Sequence, residues 1–281
     1  MNNFIQGNKF KSLAKFNFAP PPKLGGRVKN DFASSDYRYL VSTLDTRQLN
    51  EGDIIYTHTF FADYLFEKIN KKFILITHNA DTPADIIPPD NVLMWFTTNV
   101  VIENPRIQSI PIGIENDFWL KDKAEKMIRK MSQKKVFKNM IYINHNIKTN
   151  PAKRQKPYDV LSGQKWVTMD SGANGEGFDN YLDNIYNHPF VVCPEGNGLD
   201  THRVWECLYM KTIPVCTKNI NNQFYTDLPI LFIDEWEELT EMFLFEKYKE
   251  MARRQWNLDK LKFSYWADLI KNEAKYSHAI L

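Results

Sequence analysis

The 281-residue sequence has little cysteine, little net charge and no long apolar run. Its three cysteines, Cys193, Cys207 and Cys216, are odd in number and share no short repeated spacing. That excludes a disulfide framework and a CxxC metal knuckle, and points to a reducing, intracellular setting. No stretch approaches the roughly 18 apolar residues of a membrane span, and the basic N-terminus lacks an apolar core of about 7 to 15 residues. A soluble, cytoplasmic protein without an anchor is expected. Also missing are GxGxxG after a strand, GxxxxGK followed by Ser or Thr, and GxSxG. Their absence removes the dinucleotide fingerprint, the P-loop and the hydrolase nucleophile elbow. No two aspartates stand as DxD, and His188, His202, Cys193 and Cys207 fit no zinc spacing, so no metal site is expected.

What is present is globular composition, with 43% hydrophobic, 14% aromatic and 25% charged residues, enough for one large or two ordinary domains. The formal charge of +2 excludes a uniformly basic nucleic-acid binder, yet it conceals segregation. Residues 1–30 carry six basic and no acidic residues, residues 31–130 sum to −4, residues 131–170 to +6 and residues 171–281 to −6. Pro20, Pro21, Pro22 and the Gly25-Gly26 pair break regular structure, so residues 1–30 read as an irregular basic arm.

Short apolar runs rich in Ile, Val, Phe and Tyr recur at residues 53–57, 71–77, 91–97 and 107–112, with a helical piece at 60–69. They predict βαβ alternation and a parallel sheet. A charged helix over residues 121–138 marks a boundary. Beyond it the alternation restarts: strands at 139–144, 166–169, 190–193 and 213–216, helices at 154–161, 179–186 and 201–210, and a Gly-rich loop at 171–178. Residues 237–274 are helical in pattern. The expected organisation is therefore an arm (1–30), an N-terminal α/β domain (31–130) and a C-terminal α/β domain with added helices (131–281).

The segment that carries chemistry is PEGNGLDTHRVWECLYMKTIPV, residues 194–215. An apolar strand runs into a loop with Gly196, Asn197 and Gly198, then into a helix opening at Asp200. Small residues admit close backbone approach, and the free N–H groups of a helix start favour anions. Arg203 and Glu206 lie three apart on one helix face. An arginine suits a diphosphate and a carboxylate suits the hydroxyls of a ribose, so the pair fits a nucleoside diphosphate. An ordinary surface ion pair gives the same spacing.

That segment, with DLPILFIDEW at residues 227–236, resembles the nucleotide-sugar half of exostosin-like glycosyltransferases. THNADTP (77–83), WFTTN (95–99) and SIPIGIEN (109–116) are similar to their other half. The resemblance spans roughly residues 53–270 and is strongest at 194–215. It implies a GT-B architecture, two Rossmann-like domains facing across a cleft, acting on a nucleotide-sugar co-substrate, a UDP-sugar by preference. It places Glu206 on the ribose, Arg203 on the diphosphate, and Asn197, Gly198 and Asp200 beside phosphates or sugar. Through YINHNIKTNPAKR (142–154) it brings Asn144, Asn146 and Arg154 to the cleft, Arg154 as a second phosphate-neutralising group. A solvated residue beside Lys153 and Lys156 is the bland alternative for Arg154. Cys207 and Lys211 depart from the family's usual small residue and glycine.

With no DxD, transfer is expected to be metal-independent. The base that deprotonates the acceptor hydroxyl belongs at the carboxyl end of an N-terminal strand. Asp81 leads, followed by His78 and His58; Asp81 before Thr82-Pro83 also suits a simple turn. The basic arm and the basic run to Lys165 suit a polyanion, which makes a hydroxymethylated DNA base one acceptor class, against a cytosolic glycan with the basic regions as solvated faces. A non-catalytic nucleotide-sugar or nucleic-acid binding module and a sugar-nucleotide epimerase are the competing functions. Oligomeric state is not legible.

Overall fold

The structure, a computed structural model, describes residues 3–18, 45–116, 122–170 and 177–280. It divides into two compact units: Asn3–Trp119 with Lys262–Leu281, and Leu120–Leu261.

The first unit is built on a five-stranded parallel sheet in the order β1 (Phe16–Asn17), β2 (Asp53–Thr57), β3 (Phe73–Thr77), β4 (Val92–Thr97), β5 (Ile107–Ser109). Helices α1 (Gly7–Lys11) and α2 (Ala62–Lys68) belong to it. The run FILIT of β3 is buried at every position, as a strand covered on both faces must be. The strands end in register, Thr57 beside Thr77, Thr77 beside Thr97, and Thr97 beside Ser109. Ser109 closes β5, so the strand expected over 107–112 stops three residues short, ahead of Pro111.

Residues 3–18 are not an irregular arm. Ile5, Phe10 and Phe18 are buried, and β1 pairs parallel with β2. Each such side chain stabilises by about 1.5–3 kcal/mol when fully buried, which outweighs the pull of the intervening lysines toward water. Those lysines are accommodated locally: Lys15 Nζ pairs with Asp53 at 2.8 Å and Lys9 Nζ donates to the Phe4 carbonyl at 2.6 Å. The Pro20–Pro22 and Gly25-Gly26 breakers lie outside the described residues.

The second unit carries helices α3 (Lys123–Met131), α4 (Pro151–Leu161), α5 (Gly177–Tyr186), α6 (His202–Tyr209) and α7 (Glu241–Arg253). Its strands are β6 (Ile141–Ile143), β7 (Val167–Met169), β8 (Phe190–Val192), β9 (Ile213–Thr217) and β10 (Leu231–Ile233). They form a parallel sheet in the order β10-β9-β8-β6-β7. Its core gathers Ile141, Ile143, Phe190, Val192, Val215 and Leu231. The expected Gly-rich loop falls largely outside the described residues, and Gly177 and Phe178 open α5.

The final helix α8 (Phe263–Ile280) joins the first unit, not the C-terminal domain expected over 131–281. Phe263 meets Phe10 edge-on at 5.3 Å, Asn3 Nδ2 donates to Ser264 Oγ at 2.9 Å, and Trp266 and Ile270 are buried. The division between the units also falls earlier, at residue 120 rather than 131. Among the described residues no helix is long and apolar enough to cross a membrane.

Candidate functional site

In the second unit the chain runs outward from β6 to β7, then returns to the other side of β6 as β8. Such a reversal opens a crevice outside the carboxyl ends of the two diverging strands, where α/β sheets take ligands. The loops 144–150 and 193–201 leave those ends.

Arg154 ties them together. Reaching from α4, its Nε donates to the Glu195 carbonyl at 2.9 Å and its Nη1 to the Asn146 carbonyl at 3.1 Å. Asn150 Nδ2 donates to the Gly196 carbonyl at 2.8 Å. Glycine at 196 leaves room for this approach: a Cβ there would stand 2.8 Å from Arg154 Nη2, so the guanidinium would have to shift. The Gly196 N–H donates to the Gly198 carbonyl at 3.0 Å, closing the turn that leads to α6.

Helix α6 follows Thr201 in extended geometry, φ −132° and ψ 143°. Among the described residues the buried Thr201 hydroxyl has no hydrogen-bond partner, nor has Nη1 of Arg203 two residues on. The Arg203 guanidinium carbon lies 5.0 Å from the centre of the Tyr181 ring. Burial first, and then the charge of Arg203, push the pKa of Arg154 down. Burial works against the charge of Arg203 too, but Tyr181, Cys193 and Glu206 outweigh it and raise its pKa, so Arg203 is held charged and the repulsion is felt at Arg154, beside a helix start that favours anions.

His145 borders the same place. Its Nε2 donates to the Arg154 carbonyl at 2.8 Å, because a carbonyl only accepts, and this leaves Nδ1 as a buried lone pair without a partner. Burial, helped by repulsion from Arg203 and Arg154 and opposed by the bond to the Arg154 carbonyl, lowers its pKa to about 4.

The other expected donor residues are disposed differently. Asp200 accepts the Trp205 indole N–H at 2.9 and 3.0 Å, anchoring α6 from within. Asn146 is exposed, and its side chain accepts the Lys148 N–H at 3.0 Å as a local cap. Asn144 is half-buried, Asn197 is exposed, and Gly198 serves the turn. Glu206 is buried, with Oε1 ion-paired to Lys123 and Oε2 accepting the Tyr181 hydroxyl. Burial alone would raise its pKa; Lys123 and Tyr181, with Arg203 nearby, hold it down to about 2. Sequence reasoning passed over Lys123, Tyr181 and His145. The first two are single residues in ordinary-looking helices, and only His145, next to the singled-out Asn144 and Asn146, stood within a marked motif.

In the first unit, the three base candidates lie beyond the carboxyl ends of β2 and β3. His78 Nδ1 accepts the Asn79 N–H at 2.7 Å and its Nε2 donates to the Pro111 carbonyl at 3.0 Å, so both ring nitrogens are engaged. Asp81 is exposed on the loop after β3. His58 Nδ1 donates to the carbonyls of His78 and Asn79, each at 3.1 Å, and its ring stacks on Phe60 at 5.3 Å. That fixes the tautomer with a lone pair on Nε2, for which the described residues supply no hydrogen bond. Burial, with minor repulsion from Lys11 and His78, outweighs the two backbone bonds and lowers its pKa to about 4.

The class these features define is a two-unit α/β protein with parallel sheets and an anion-ready crevice in the second unit. No family model matches the sequence, and no curated protein matches it. Among solved structures the chain is similar to an alpha1,3-fucosyltransferase, at 13% identity and TM-score 0.46 over 98% of this chain and 93% of that one. It is also similar to an alpha,alpha-trehalose 6-phosphate synthase from Burkholderia multivorans, at 12% identity and TM-score 0.44 over 83% of this chain and 74% of that one.

Proposed function

We propose that the chain is a nucleotide-sugar-dependent glycosyltransferase of GT-B type whose second unit holds the donor by its diphosphate. The observation that carries this reading is the convergence of Arg154 and Arg203 at the β6/β8 reversal, with a buried, unpartnered Nη1 on Arg203 beside the start of α6. Glycosyl transfer breaks the bond between the anomeric carbon and a phosphate oxygen, and negative charge grows on the leaving diphosphate. Two fixed guanidinium groups and a helix start stabilise that charge without reorganising. Transfer is accordingly metal-independent: a chelator leaves the rate unchanged, whereas loss of activity restored by manganese contradicts the reading.

On the acceptor side, His58 fits the base better than Asp81 or His78, since its Nε2 lone pair is fixed and the described residues offer it no hydrogen bond. Its role in this reading is to accept the proton of the acceptor hydroxyl. His58→Gln should cut transfer by about 100-fold or more with donor affinity unchanged, within the usual reach of general-base catalysis. Asp81→Asn with the same effect, and His58→Gln without it, moves the role to Asp81.

The charge argument for a DNA acceptor weakens in the second unit. Lys138 pairs with Asp183 at 2.9 Å, Lys153 with Glu195 at 3.5 Å, and Lys156 with Glu237, so three of the eight basic residues of 131–170 are paired with the acidic C-terminal segment. A donor panel read by product mass, with glycans and with DNA containing hydroxymethylated pyrimidines as acceptors, tests the reading. Transfer to no acceptor and hydrolysis of no donor would sink it, and epimerisation without acceptor would replace it.

A further inference from the structure

Glu206 stands on the same helix as Arg203, three residues on, where a donor-site carboxylate is expected to grip ribose hydroxyls. Its surroundings suit a different task. The carboxylate is 4% exposed and both oxygens are already committed, Oε1 to the ammonium of Lys123 and Oε2 to the hydroxyl of Tyr181. Lys123, the first residue of α3, is itself only 5% exposed and lies 5.4 Å from the centre of the Phe178 ring. Both partners are buried, so a ribose could claim Glu206 only by uncovering a buried ammonium, the costly half of any buried ion pair.

The chain of contacts continues to the anion crevice. Tyr181, held by its hydroxyl on Glu206, presents its ring face to the Arg203 guanidinium at 5.0 Å. A guanidinium over an aromatic ring has fewer orientations open to it, and here Nη1 is buried with no hydrogen-bond partner among the described residues.

We infer that Glu206, together with Lys123, is a positioning residue that fixes Tyr181 and through it aims Arg203 at the donor diphosphate, and that the ribose hydroxyls are not read by this carboxylate. The inference rests on the donor-site reading above and predicts how the site discriminates. Affinity resides in the diphosphate, and removal of the ribose hydroxyls costs little.

The test is calorimetric titration of the full chain with three probes: a ribonucleoside diphosphate, its 2′,3′-dideoxy analogue and inorganic pyrophosphate. Wild type is compared with Tyr181→Phe, which keeps the ring, and with the double variant Lys123→Met/Glu206→Met, which removes the pair without stranding a charge; unchanged thermal midpoints verify that both fold. The expected result is a ribo-to-dideoxy affinity ratio within about threefold in wild type, and losses of about tenfold for all three probes, pyrophosphate included, in both variants. A ratio of tenfold or more in wild type, erased by the double variant while pyrophosphate binds as before, overturns the inference and leaves the donor site standing. Failure of wild type to bind any of the three overturns both.

Discussion

His58 and His145 are buried neutral imidazoles, and each is a sensor of acid. Both folded pKa values are lowered to about 4 from 6.5. Between those values the unfolded chain binds protons that the folded chain refuses, so stability is full above pH 6.5 and falls as pH drops toward 4. The slope is up to about 1.4 kcal/mol per pH unit for each histidine. Thermal midpoints measured from pH 7.5 to 4 should decline through this window, and His145→Gln should flatten the decline. Glu206, lowered to about 2, adds a separate loss that begins only below about pH 4.5. A midpoint independent of pH between 6.5 and 4.5 would contradict the buried, neutral state of both rings. At this scale the sequence was a partial guide: it singled out Arg154 and Arg203 because arginine near a Gly-rich loop has a specific chemistry, and Arg154 does tie the two loops at the β6/β8 reversal. The pairing of Lys123 with Glu206 was not legible, because residues 83 apart in sequence meet only in the folded chain, where α3 packs on α5 and its first residue reaches Glu206.

Among the elements, α6 and the loop before it act as one piece. Gly196 is needed for the room it leaves to Arg154, not for backbone freedom. Gly196→Ala should therefore displace the guanidinium and weaken nucleoside diphosphate binding by about tenfold, a charged hydrogen bond's worth, with little change in thermal midpoint. Equal affinity in the variant would show that Arg154 does not touch the ligand. The strands themselves were readable because strands of a covered parallel sheet are continuous apolar runs, as FILIT in β3 and FVV in β8 illustrate. Residues 3–18 misled for a physical reason. Their lysines and the prolines that follow suggest a solvated arm, but Ile5, Phe10 and Phe18 are spaced among the charges and fold inward.

For the molecule as a whole, the two units differ in continuity. The second is one unbroken segment with its own core, whereas the first is completed by α8 from the far end of the chain. A fragment of residues 120–261 should fold alone and retain pyrophosphate affinity, with a cooperative transition in calorimetry. Trp266→Ala should destabilise the first unit by about 3–5 kcal/mol, the usual cost of emptying a buried tryptophan site, and leave the second unit's transition in place. The allegiance of α8 was hidden from sequence because its apolar stripe names a buried face without naming the partner. Charge segregation along the chain was likewise altered by folding, since basic residues 126–156 and acidic residues 179–237 interleave as ion pairs.

The central claim, that the second unit is a diphosphate site built on Arg203 and Arg154, meets its most direct test in calorimetric titration of wild type and Arg203→Ala with nucleoside mono- and diphosphates. Wild type should bind a diphosphate at least about tenfold more tightly than the corresponding monophosphate, and the variant should lose about 10- to 150-fold for the diphosphate, the range of a charged hydrogen bond. A wild type indifferent to the second phosphate, or a variant that binds as well as wild type, would contradict it.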